Sequence, residues 1–176
     1  MSRQSILTLL RNRVVARVSF TVTVNNGTIT VNSATFERVA TAIEAGTLNL
    51  TILPANEMPW LNSGAVYFST AGTANNPTYI SKYGAAIPAN SLFSRDTFGR
   101  VEEGMVIHEA VHASLDLTSS TGILTVHEEA TAMIAEILYN RRMGLSRSRI
   151  TEQIRVSALP VVETIIRTGT ADATHY

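Results

Sequence analysis

Apolar and polar positions alternate early in the chain and step at helical spacing later. Phe20, Val22 and Val24 alternate with threonines, the period-two pattern of a strand with one buried face, and the strand is read from Val14 to Val24. Asn26-Gly27 is a strong hairpin signal, and Thr28 to Val31 returns as the partner strand. Phe36, Val39, Ala40 and Ile43 then fall on one face of a helix over residues 34–46, with Gly46 placed to cap it. Thr47 to Leu53 alternates again and stops at Pro54, Ala65 to Thr70 reads as a further strand, and Tyr79 to Tyr83 as a weaker one. Ser2 to Arg13 reads as a short helix, and helices take most of the rest, with Pro160 as first residue of a last helix through Arg167. Residues 1–97 are thus mostly sheet with a backing helix, and residues 98–176 mostly helical. The pattern contains no internal repeat.

Within the helical half, Met105, Val106, Ile107, Ala110, Val111, Ala113 and Leu115 make an apolar run that encloses His108-Glu109-Ala110-Val111-His112. Residues four apart stack on one face of a helix, so His108 and His112 can offer two imidazole nitrogens to one ion. Glu109 lies beside them, placed to act on a metal-activated water as general base. Imidazole suits zinc, and a catalytic zinc takes three protein ligands and leaves one position open. The plain alternative is two ordinary histidines on a helix. Burying ionisable groups without a partner is expensive, however, and three of the four histidines (His108, His112 and His127) crowd into twenty residues.

A third ligand is needed. Asp116 lies eight residues beyond His108, about 12 Å along a continuous helix, and cannot reach the same ion; a supporting or helix-end role suits it better. The helix ends near Leu117, and Thr118-Ser119-Ser120-Thr121-Gly122 is a turn signal. A second helix, Ile123 to Tyr139, follows after a short connection and packs antiparallel. Glu129 shares a face with Ala132, Met133 and Glu136 and is the preferred ligand, with Glu128 the fallback. Glu136 is placed to hold a histidine N–H from outside the metal shell. A solvated, dipole-stabilised helix start is the alternative for Glu128 and Glu129.

The His-Glu-x-x-His segment followed by a glutamate helix, with Glu129 to Ala132 reading Glu-x-x-Ala, resembles the gluzincins, zinc metallopeptidases with a His, His, Glu ligand set. The resemblance covers about Phe98 to Tyr139 and is to the small, minimal members. No Asn-Glu pair with an acid four residues on is present, unlike larger members, and no Gly-x-x-His follows His112. The resemblance implies a zincin-like α+β fold, a small mixed sheet packed on a backing helix, the motif helix and the glutamate helix. It implies Zn2+ held by His108, His112 and Glu129, and Glu109 as the base for peptide hydrolysis. It also implies an edge strand above the metal that pairs with an extended peptide; Ala65 to Thr70 is the candidate, then Tyr79 to Tyr83, with the loop 71–77 bordering the cleft. A second oxyanion donor is usual, and Tyr139, His127 and Tyr83 are the candidates.

Composition narrows the partners. With 176 residues and 45% hydrophobic content the chain is one domain with a full core and not disordered. Zero net charge argues against nucleic acid and anionic membrane partners, and a peptide or protein substrate is what the resemblance implies. Without cysteine there is no disulfide and no thiolate site. No apolar run reaches spanning length, and Ser5 to Leu10 is too short for a secretory signal, so the expectation is a cytoplasmic protein or one exported by a non-classical route. Lys82 is the only lysine; Arg141, Arg142, Arg147, Arg149 and Arg155 cluster after the glutamate helix, as at a solvated helix end or a patch for an acidic partner. Trp60 reads as a core anchor or a cleft rim. Two other uses of the site remain. One is a delivered toxin or effector peptidase, which adds an inhibitor or immunity-type protein to the partners. The other is a non-catalytic binding or structural domain whose zinc is closed by His127 or Glu128 as fourth ligand.

Overall fold

A computed structural model describes residues 2–24, 27–57, 64–97, 99–118, 125–145, 153–168 and 170–171. The architecture is α+β. Helix α1 (Arg3–Leu10) leads through a short 3-10 turn at Val15–Arg17 into strand β1 (Phe20–Val24). The expected strand from Val14 therefore starts only at Phe20. Val15 and Val18 are buried by the turn, so apolar side chains there report burial and not extension. β1 pairs antiparallel with β2 (Gly27–Val31), Thr21 opposite Thr30 and Val22 opposite Ile29. Asn26, in the expected hairpin turn, lies outside the described residues. The alternation holds: Phe20, Val22, Val24, Ile29 and Val31 enter the main core while Thr23, Thr28 and Thr30 face out.

Helix α2 (Ser33–Ala45) starts at Asn32, whose side chain accepts from the Ala34 N–H while Thr35 answers the Asn32 N–H, and ends at Gly46 in the left-handed region. Strand β3 (Asn49–Leu53) runs parallel to β7 (Ser91–Arg95), and β4 (Ala65–Phe68) flanks β7 antiparallel on the other side. This three-stranded sheet has two buried faces. Leu50, Ile52, Ala65, Tyr67 and Leu92 join the main core, while Leu53, Val66, Phe68 and Phe93 pack on the opposite face against Tyr79 and Ile87. A two-stranded ribbon, β5 (Gly72–Thr73) with β6 (Ala86–Ile87), and helix α3 (Pro77–Tyr83) complete that second cluster. The expected strand Tyr79 to Tyr83 is thus a helix. Pro77 sits in its first turn, the Asn76 side chain accepts from the Tyr79 N–H at 3.0 Å, and Tyr79 and Tyr83 stack one turn apart.

The helical half is α4 (Arg100–Leu117), α5 (Thr125–Arg142) and α6 (Gln153–Thr168), followed by β8 (Thr170–Ala171), which adds parallel to β1. Pro160 is inside α6, seven residues past its start, and not at its first position. The ring is exposed there, and Leu159, Val162 and Ile165 are buried along the same helix, so packing outweighs the lost amide. Helix α4 is buried on most sides, between α2, α5 and the β4–β7 pair. Two glycines set its spacing. A Cβ on Gly104 would lie 2.6 Å from both terminal atoms of the Asn140 side chain in α5. One on Gly64 would lie 3.0 Å from Glu102 Cγ, so β4 begins hard against the first turn of α4. Among the described residues no helix is long and apolar enough to cross a membrane. Trp60, Phe98, Arg147, Arg149, the 119–122 part of the expected turn and residues 123–124 at the expected start of the second helix lie outside the described residues.

Candidate metal centre

The helical spacing of α4 brings His108 and His112 together with their Nε2 atoms 3.2 Å apart. Helix α5 runs antiparallel beside them. Going back along α4 from His112 through His108 to Gly104 and Glu103, the partners on α5 advance from Glu128 through Glu136 to Asn140 and Tyr139. Glu129 straddles the pair, with Oε2 3.5 Å from His108 Nε2 and Oε1 3.5 Å from His112 Nε2. The three donors therefore form one group within 4.8 Å that could hold a metal ion. The Nε2–Nε2 separation of 3.2 Å is close to the roughly 3.4 Å edge of a tetrahedron with bonds of about 2.1 Å, and each Nε2 has its own Glu129 oxygen at 3.5 Å.

The outer nitrogens of both rings face carboxylates. His112 Nδ1 donates to Glu128 Oε1 at 2.9 Å, and His108 Nδ1 lies 3.3 Å from Glu136 Oε2. In the neutral Nδ1–H tautomer each Nε2 would carry a bare lone pair, and both would point at the Glu129 carboxylate. Converging lone pairs and a carboxylate repel unless a cation sits among them. Without a metal, a proton on His108 meets that demand. Burial lowers its pKa, but the carboxylates of Glu129, Glu136 and Glu109 outweigh burial and push it up to about 9. Glu129 is held below the usual carboxylate range, chiefly by its hydrogen bond to His108.

Glu109 turns from the pair toward the sheet. Its Oε2 accepts from the backbone N–H of Tyr67 on β4 at 2.9 Å. Burial raises its pKa, against the pull of His108, His112 and that amide. A carboxylate so placed is a proton acceptor nearer neutrality than a free glutamate.

Sequence reasoning named His108, Glu109, His112 and Glu129; the fold gathers His108, His112 and Glu129 into one donor group and turns Glu109, beside it, to the Tyr67 amide. Glu128, the fallback ligand, is on the far side of the His112 ring. Glu136 is buried with Oε2 3.3 Å from His108 Nδ1, close enough for charge but outside hydrogen-bond geometry. Asp116, set aside as a ligand, is exposed beside the phenol of Tyr67. Two of the three expected oxyanion donors are engaged elsewhere. Tyr139 is fully buried and donates to Glu103 at 2.7 Å, and Tyr83 donates to Glu57 at 3.2 Å. His127, two residues before Glu129, is turned about 200° round α5 from it, and it is not part of the donor group. The residue that sequence reasoning missed is Tyr67. Its amide holds Glu109, and its phenol donates to Asn90 Oδ1 at 3.0 Å. Asn90 is the one non-glycine among the described residues with positive φ, at 52°. Burial and Asp116 keep the phenol protonated by raising its pKa. Nothing in the sequence marks Tyr67 beyond its membership of a strand. No known protein family matches this chain, and neither a curated protein nor a solved structure is similar to it.

Proposed function

We propose that the chain is a zinc metallopeptidase of the gluzincin type on a zincin-like fold, hydrolysing a peptide bond with Glu109 as general base. The observation that carries this reading is one constellation. Two Nε2 atoms and the Glu129 carboxylate converge within 4.8 Å, with a second carboxylate, Glu109, next to His108 and an edge strand alongside. Two imidazoles and a carboxylate suit zinc. Bound there, zinc would supply Lewis acidity and a water of lowered pKa. Glu109 takes the proton of the attacking water and passes it to the leaving amine. Glu128 holds His112 in the Nδ1–H tautomer by a hydrogen bond, and the Glu136 carboxylate 3.3 Å from His108 Nδ1 favours the same tautomer there by its charge, which keeps Nε2 available.

Three protein donors among the described residues would leave one tetrahedral position open. A structural zinc needs a fourth. Of the two candidates for that place, Glu128 is occupied on His112 Nδ1 and His127 is outside the donor group, which favours catalysis over a closed shell. The edge strand β4 suits an extended peptide.

The test is turnover of an unstructured casein-like protein by the zinc-loaded chain, against Glu109→Gln. Loss of activity of about 10²- to 10⁴-fold with zinc still bound is expected. Full activity in Glu109→Gln would sink the assignment.

A further inference from the structure

Strand β4 has β7 on one side and no described strand on the other. Its hydrogen-bond phase is fixed by Arg95, whose N–H donates to Gly64 O directly across the ladder at 3.0 Å. In an antiparallel pair the bonded positions alternate, so Gly64, Val66 and Phe68 bond toward β7. Tyr67 lies between two of them, and its N–H points to the open edge. That outward N–H is the one Glu109 occupies at 2.9 Å. The contact is charge-assisted, and each lone pair committed to the amide is withdrawn from proton transfer.

We propose that the Tyr67 N–H is both the resting place of the base and the docking point of the substrate, so that an extended peptide pairing with β4 displaces Glu109 and frees it for catalysis. This rests on the peptidase reading above and specifies its substrate. The target is a segment in extended form that presents a backbone carbonyl at the register of Tyr67. One N–H makes one strong hydrogen bond, so the peptide carbonyl and the carboxylate compete for it. Glu109 adjoins His108 on α4, and a side-chain rotation is all that separates the sheet from the donor group. A water entering the site without a paired peptide meets a base already engaged. Tyr67 is thus a positioning residue, acting through Glu109, and its contribution is a backbone group that side-chain substitution leaves in place.

The competition has a counterintuitive consequence: removing the base improves substrate binding. The probe is a blocked hexapeptide with alternate peptide bonds N-methylated, which resists hydrolysis and presents a single pairing edge. Its affinity for the zinc-loaded protein is measured by calorimetry for wild type, Glu109→Gln and Glu109→Ala. Glu109→Ala is expected to bind about fivefold tighter than wild type, the net worth of one hydrogen bond, with Glu109→Gln between them. In parallel, the Tyr67 amide is expected to exchange with solvent at least tenfold faster in Glu109→Ala, while core amides of α4 stay protected and report an intact fold. Equal or weaker binding by both variants, or equal Tyr67 exchange, overturns the proposal. Hydrolysis by the wild type is a separate readout. Its absence would strike the peptidase reading, while the binding and exchange results still decide the competition.

Discussion

The division of labour among the three glutamates of α5 makes a quantitative prediction. Glu129 faces both Nε2 atoms, Glu136 faces His108 Nδ1 and Glu128 faces His112 Nδ1. Removing a ligand and removing a partner of a ligand have different magnitudes. Zinc binding of about 12 kcal/mol spread over four ligands is about 3 kcal/mol each, so Glu129→Ala should weaken zinc more than a hundredfold. Outer partners are worth roughly 10- to 100-fold. Burial ranks the two: the Glu136 side chain is 2% exposed and that of Glu128 is 25% exposed. Water can replace part of what Glu128 does and very little of what Glu136 does. Glu136→Gln should therefore fall near the hundredfold end and Glu128→Ala near the tenfold end. Competition against a chromogenic chelator at fixed pH gives all three affinities on one scale. The reasoning is refuted if Glu128→Ala loses zinc as completely as Glu129→Ala, or if Glu136→Gln binds as tightly as wild type.

Four further outcomes follow from other contacts. In protein stripped of metal, the folded His108 pKa of about 9 lies above its ordinary 6.5, so its charged form stabilises the fold below pH 6.5 and that stability is lost as pH rises through 9. The loss is up to roughly 3 kcal/mol, read as a fall in Tm between pH 6 and 9.5, and a flat profile would contradict it. Zinc affinity, which needs neutral imidazoles, should rise with pH up to about 9, where His108 gives up its proton. Gly104→Ala should cost about 1–3 kcal/mol by thermal melting, because its Cβ meets the Asn140 side chain, and most of that loss should vanish in an Asn140→Ala background. Tyr139→Phe removes the 2.7 Å bond to Glu103 and should lower stability by about 1–3 kcal/mol while leaving kcat unchanged; a kcat effect without a Tm effect would return Tyr139 to the active site.

Much of the fold was legible where one face of an element is polar. The β1–β2 hairpin and α2 carry clean periods because threonines or charges mark the outer side. Strand β7 carries none: Ser91, Leu92, Phe93 and Ser94 are all buried, so no alternation marks the strand that joins β3 to β4. At Tyr79 to Tyr83 composition misled in the opposite direction. Aromatic and β-branched residues favour strands on average, but Asn76 and Pro77 are local instructions for a helix start. A cap and a fixed φ act on the backbone directly, whereas side-chain preference acts through neighbours that the sequence does not show. Pro160 misled for the converse reason, since a local start signal was overridden by buried contacts along α6.

The site divides in the same way. His108 and His112 lie four residues apart, so their convergence is a property of α-helical geometry alone, and Glu109 beside them is turned toward the sheet. Glu129 and Glu136 needed one further inference, that a short connection makes α5 antiparallel, and their spacing of seven residues keeps them on one face. Tyr67 needed the offset of β4 along α4, and that offset is set by Gly64 against Glu102. From Gly64 to Tyr67 is about 10 Å of strand. From Glu102 to Glu109 is about 10.5 Å of helix. The two elements run in step, and contact at one end places the Tyr67 amide on the base at the other. The test of that linkage is Gly64→Ala. Its Cβ would meet Glu102 at 3.0–3.3 Å and push the strand from the helix by a few tenths of an ångström. It should loosen the 2.9 Å bond from Tyr67 N–H to Glu109 and speed exchange of that amide, with zinc affinity unchanged because no donor rests on β4. Zinc affinity falling with the exchange protection would mean that the sheet, and not α4 with α5, sets the donor geometry.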